Sequence, residues 1–206
     1  MVEIFHNAKN VNYRDPLKEA KSGLSLAAIK NEGLIFALGG YNGKEHLSQV
    51  EIYQADKNLW EWFSPMKHKR SAAGCCGLDP FHLIYVFGGF SDIKGSYTSL
   101  ERFNYDNPGK GWKVIEVQHE EWKGMYRIRV AQLSQNKLLV FGGHENTDSY
   151  EVSVNEDGSL LSVEPTDQTL EHSEDHSFKV VGGRLYASNN QGQMVIYENS
   201  KWNLIE

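Results

Sequence analysis

The sequence predicts an all-β fold in which a four-stranded antiparallel sheet recurs about four and a half times. Three observations predict it. Short apolar runs at 34–38, 83–87, 138–141 and 185–188 each end in a pair of small residues. Those pairs are Gly39-Gly40, Gly88-Gly89, Gly142-Gly143 and Asn189-Asn190, and their starts lie 49, 54 and 47 residues apart. Beyond each pair a loop leads into a β-rich segment carrying a tyrosine, and in three units a tryptophan follows. These are Tyr53 with Trp60, Tyr105 with Trp112, and Tyr197 with Trp202; the third unit has Tyr150 without a tryptophan.

A period near 50 with paired glycines resembles the kelch repeat of β-propellers. The resemblance implies kelch-type blades, each a small sheet that buries both faces only by stacking between neighbours. Glycines at a strand end remove Cβ atoms where backbones crowd. The tyrosines and tryptophans fill the space between blades. All these Gly, Tyr and Trp positions read as structural.

The first residues, Val2 to Asn10, resemble Val50 to Asn58, which open the third strand of the first full unit. The chain is therefore expected to begin with strands c and d of a partial blade (1–20). Blades follow at 21–66, 67–118 and 119–166, with a degenerate one at 167–206. Such a count leaves three arrangements open: a piece of a longer propeller, an open propeller completed by a partner or second copy, or a compact ring with an abbreviated blade. An open end would expose a sheet face and favour association.

In an up-and-down sheet the a–b and c–d turns share one rim, and the b–c and d–a connections share the other. The first set is short, with Asn/Asp/Gly turn chemistry around residues 31–33, 56–58, 107–111 and 155–158. The second set is long: b–c loops at 41–48, 90–100 and 144–149, and d–a loops at 64–70, 119–127 and 164–176. Long loops on a rigid scaffold carry recognition. The candidate partner-binding residues are accordingly Tyr41, Asn42, His46, Phe90, Asp92, Tyr97, His144 and Glu145. Three cations join them. Lys21 and Arg70 each lie 18 residues before their diglycine, and Arg127 lies 15 before Gly142. Repeat symmetry places them at one level around the central opening. In kelch-type ubiquitin-ligase adaptors, arginines at the corresponding strand start line a pocket for acidic peptides. The resemblance therefore implies an acidic partner held by charge-assisted hydrogen bonds. The alternative is that each cation pairs with a carboxylate of its own loop.

Composition narrows the function further. The chain has 206 residues, 40% of them hydrophobic and 12% aromatic, which is too apolar for a disordered chain. No apolar run approaches the roughly 18 residues of a membrane span. A net charge of −6 argues against broad nucleic-acid binding. Cys75 and Cys76 are adjacent, so no disulfide framework is expected, and the thiols read as small core residues in a cytoplasmic protein. Enzymes of related architecture need particular constellations of groups. A copper oxidase needs two histidines, tyrosines and a cysteine crosslinked to a ring, whereas Cys75 and Cys76 here lie in a small-residue inner strand, Ser71 to Cys76, and read as packing residues. The E-xxx-D-xxx-H iron motif of plant specifier proteins fails at Lys179, after Glu171 and Asp175. The acidic stretch with Glu164, Asp167, Glu171, Glu174 and Asp175, beside His172 and His176, reads as a solvated loop. No metal or cofactor is expected. The sequence thus predicts a non-catalytic interaction module, in substrate-adaptor style. A structural subunit docking by an open blade edge, or a propeller enzyme acting on a small molecule or sugar, are the alternatives.

Overall fold

A computed structural model describes residues 2–6, 10–119, 122–144, 148–166, 177–181, 184–188 and 193–205. A hairpin of β1 (Val2–His6) and β2 (Asn10–Arg14) comes first. Four antiparallel sheets follow, each built in chain order from inner to outer strand. The first comprises β3 (Ser25–Ile29), β4 (Leu34–Leu38), β5 (Val50–Gln54) and β6 (Leu59–Phe63). The second begins with β7 (Gly74–Leu78) and β8 (Leu83–Phe87). A side ribbon of β9 (Phe90–Ser91) and β10 (Gly95–Ser96) then interrupts it, before β11 (Ser99–Asn104) and β12 (Lys113–Glu116) complete it. The third holds β13 (Ile128–Gln132), β14 (Lys137–Gly142), β15 (Ser149–Val154) and β16 (Leu160–Pro165). The last holds β17 (Ser177–Val181), β18 (Arg184–Ser188), β19 (Met194–Glu198) and β20 (Lys201–Ile205). Among the described residues no α-helix occurs. Inner strands β3, β7, β13 and β17 neighbour one another in that order, so the sheets stack face to face as propeller blades.

Strand β8 shows why its sequence is apolar at every position. Side chains alternate across a strand. Leu83, Tyr85 and Phe87 enter the layer shared with the third sheet, while Ile84 and Val86 enter the layer shared with the first. All five are fully buried. At about 1.5–3 kcal/mol per large apolar side chain, this strand is a main contributor to cohesion. Cys75 and Cys76 divide in the same way, one against each layer. Burial pushes both thiols up, that of Cys76 to about 12, so neither is a thiolate at neutral pH.

The glycine doublets join one blade to the next. Gly39 and Gly88 have φ of 60° and 56°, and a Cβ on either would collide with the carbonyl of Arg70 or Met125, respectively. Their partners Gly40 and Gly89 donate their N–H groups to those same carbonyls, at 2.9 and 2.7 Å. Gly77 on β7 serves a closer approach still, since a Cβ there would strike Ala28 on β3.

Register corrects the aromatic repeat. Tyr53 stands opposite Trp60, with ring centroids 5.2 Å apart. In the second blade the partner of Trp112 is Phe103, at 5.3 Å, and not Tyr105. The outer turn there is lengthened by a 3-10 turn (Pro108–Lys110), and Tyr105 packs instead against Phe36 and Phe63 of the first blade. Tyr150 is also displaced. It faces Val140, whereas the residues in the corresponding register of the first two blades are Glu51 and Glu101. Tyr197 and Trp202 pair as expected, at 5.1 Å. Asn189, Asn190 and the 167–176 stretch lie outside the described residues.

Candidate functional site

Two of the three expected rim cations belong to the fold. The Nζ of Lys21 lies 2.9 Å from Glu51, and the Nη2 of Arg70 lies 2.9 Å from Glu101, with all four side chains fully sealed from solvent. Each glutamate also fastens the chain arriving at its blade. Glu51 accepts from the backbone N–H of Lys18, and Glu101 from those of Lys67 and His68. Arg70 donates further to the Gly88 carbonyl at 2.5 Å and rests over the ring of Tyr97, 4.5 Å from its centroid. Burial lowers the affinity of the Arg70 guanidinium for its proton, and Glu101 opposes that shift. The carboxylate that an acidic ligand would have supplied is already present inside the blade.

Arg127 is not the third member of that set. Met125, not Arg127, supplies the carbonyl that receives the Gly89 N–H, as Arg70 does for Gly40. The residues equivalent to Arg127 are Ala72 and Gly23, which share its left-handed backbone at φ of 59°, 51° and 60°. Their backbones form a ladder, Arg127 N–H to Ala72 O at 2.6 Å and Ala72 N–H to Gly23 O at 2.7 Å. Arg127 therefore sits beside the inner strands with an exposed side chain. In the third blade Met125 and Tyr150 replace the buried ion pair, and both pack in one apolar layer with Trp122.

The other expected rim residues fall into two groups. Tyr97 is buried, and its hydroxyl donates to the Lys69 carbonyl at 3.1 Å. Asn42 folds its own loop, accepting from the N–H groups of Lys44 and Glu45 and donating to Glu19. Glu145 lies outside the described residues. By contrast, Tyr41, His46, Phe90 and His144 come together, and a fifth ring joins them. The centroids run Tyr41 to His46 at 5.1 Å, His46 to Phe90 at 5.5 Å, Phe90 to Tyr126 at 5.5 Å, and Tyr126 to His144 at 5.1 Å. None of the five is buried. His46 is held at Nδ1 by the Ser71 hydroxyl (3.0 Å) and at Nε2 by exposed Asp92 (3.3 Å).

This arc crosses three blades because the position after each diglycine carries a ring: Tyr41, Phe90 and His144. Backbone bridges hold those positions against the arriving strand, Ser22 to Tyr41 and Ser71 to Phe90, and the His144 N–H donates to the Tyr126 carbonyl in the same manner. Tyr126 is not among the residues the sequence singles out. Its signal was positional, since it occupies the place of Ser22 and Ser71 and is the aromatic member of that series.

Stacked four-stranded sheets joined by glycine doublets, with long loops gathered on one rim, define the class of β-propeller proteins. The repeats of this chain are similar to the Kelch motif. A family model for the Kelch motif matches residues 26–67, which hold the four strands of the first sheet apart from Ser25. The chain is 25% identical over 152 residues to Kelch-like protein 23 of Pongo abelii, covering 73% of this chain and 26% of that protein. It is 34% identical over 87 residues to Kelch-like protein 7 of Rattus norvegicus (38% of this chain, 14% of that protein). It is 36% identical over 74 residues to an Influenza virus NS1A-binding protein homolog of Xenopus laevis (36% of this chain, 11% of that protein). The chain thus spans about a quarter of the length of Kelch-like protein 23.

Proposed function

We propose that this chain is a non-catalytic protein-interaction module whose contact surface is the arc Tyr41, His46, Phe90, Tyr126 and His144. The observation that carries the reading is the continuity of these solvent-accessible rings across three blades. Aromatic side chains give large contact area at low entropic cost and dominate binding energy at protein interfaces. The relative named for binding NS1A agrees with a recognition role for such repeats. In its finer form the module is a cytoplasmic substrate adaptor whose partner is acidic and meets Arg127 beside the arc. Affinity capture with the intact chain, quantified against a Phe90→Ser/Tyr126→Ser variant, tests it. Partners lost by the variant and retained by a Leu161→Ser control support the reading. An identical partner set from all three chains overturns it.

One observation favours a second reading, docking by a blade face. Met194 and Ile205 stand opposite each other on β19 and β20, and both are exposed, as is Val181. Such a face fits another blade or a second copy. Sedimentation velocity of the chain and of a Met194→Lys/Ile205→Lys variant separates the two. Concentration-dependent association lost in the variant supports face docking, and a monomer at all concentrations rejects self-association through it.

A further inference from the structure

The rim opposite the arc holds a cleft of about 530 Å³ between the outer turns of the second and third blades. Its lining includes Arg102, Lys110, Lys113, Asn107 and Trp112 from the second blade and Asp157 from the third. Three cations face one carboxylate in a chain whose net charge is −6. That carboxylate is already engaged, accepting from the Ser159 N–H at 2.8 Å and the Ser159 hydroxyl at 2.6 Å. Arg102 is fixed by donation to the Asp157 backbone carbonyl, beneath a turn in which Gly158 has φ of 79°. A side chain at Gly158 would strike Arg102, so the turn is shaped around the guanidinium. Both lysines are exposed, and no ion pair engages either among the described residues. Trp112 closes the back of the cleft, its indole N–H committed to the Ser64 carbonyl at 2.8 Å.

We infer that this cleft binds an acidic peptide segment, with Lys110 and Lys113 pairing its carboxylates and Asn107 offering an amide. A ligand carrying several carboxylates along a chain matches cations that reach the cleft from separate places, Arg102 on β11, Lys110 on the outer turn and Lys113 at the start of β12. The positive potential is local and solvent-facing, so binding is salt-dependent. This site is separate from the aromatic arc, and each can fail without the other.

The test is titration of the intact 15N-labelled chain at low salt with an octaglutamate peptide, an octaglutamine peptide and inorganic phosphate. The proposal expects saturable shifts at Arg102, Lys110, Trp112 and Lys113 with octaglutamate only. Lys110→Glu/Lys113→Glu should weaken that binding about tenfold or more, the scale of one lost charge-assisted hydrogen bond. Both positions are exposed, so the variant should fold normally. Shifts confined to the Arg127 rim, equal response to octaglutamine, equal affinity for inorganic phosphate, or unchanged binding by the variant would each overturn the inference.

Discussion

At the scale of single residues, the buried pair Arg70–Glu101 is the most consequential feature. Charges taken out of water are costly, and their attraction offsets that cost only while both partners are present. Glu101→Ala leaves Arg70 sealed and uncompensated, and also frees two backbone donors at residues 67 and 68. It should destabilise the chain by about 3–5 kcal/mol, read as a shift in the urea midpoint at constant slope. The third blade fills the same position with Met125 and Tyr150. Arg70→Met/Glu101→Tyr should therefore lose markedly less than Glu101→Ala, although each single change is harmful. If the double variant is as unstable as Glu101→Ala, the pair serves more than charge matching. The sequence displayed these cations but not their fate. Lys21 and Arg70 stand at the right distance from their doublets to reach a ligand, and at the same distance to reach a glutamate on β5 or β11 of their own blade. Only side-chain geometry separates those outcomes.

At the scale of elements, the strands were legible and their registers were not. A diglycine after an apolar run locates the second strand of a blade, because close backbone approach excludes a Cβ. The outer strands carry no such marker. The equal spacing of Glu51, Glu101 and Glu151 misleads for that reason. Glu151 lies one position beyond Tyr150, so it turns to the opposite face of its sheet and reaches the last blade. There it accepts from Tyr197 (3.0 Å) and Ser200 (2.8 Å), as well as from Lys137 (2.7 Å) on its own sheet. Burial raises its carboxyl, but the hydrogen bonds from Lys137, Ser200 and Tyr197 more than offset this, and the balance holds it below the ordinary 4.5. A carboxyl depressed in the folded state stabilises above its unfolded value and loses that contribution as pH falls through the folded one. Acid should therefore loosen the contact of β19 and β20 with the third blade. Hydrogen exchange should show faster exchange in β19 and β20 on acidification, after correction for intrinsic rates. Glu151→Gln should reproduce the loosening at neutral pH and abolish most of its further pH dependence. Protection in β19 and β20 unchanged by either treatment would remove Glu151 from this role.

At the scale of the whole molecule, neighbouring sheets share their apolar layers, and no sheet between two others has a core of its own. The sequence conveyed this through runs that are apolar at every position, as in β8, and not merely at alternate ones. It did not convey the arc, because the five rings come from segments up to about a hundred residues apart and meet only through repeat symmetry. Their proximity is nonetheless a property of the architecture. Any residue placed just after a doublet arrives at the same height on the rim, so three unremarkable positions become one continuous surface.

The doublets also give the stack a direction. Gly40 and Gly89 reach forward to the chain arriving at the following blade, so the pin securing each of the first two sheets is supplied by the segment that comes later. A lesion in residues 66–73 should thus be felt upstream, as slackening at the end of β4, before the strands of its own blade respond.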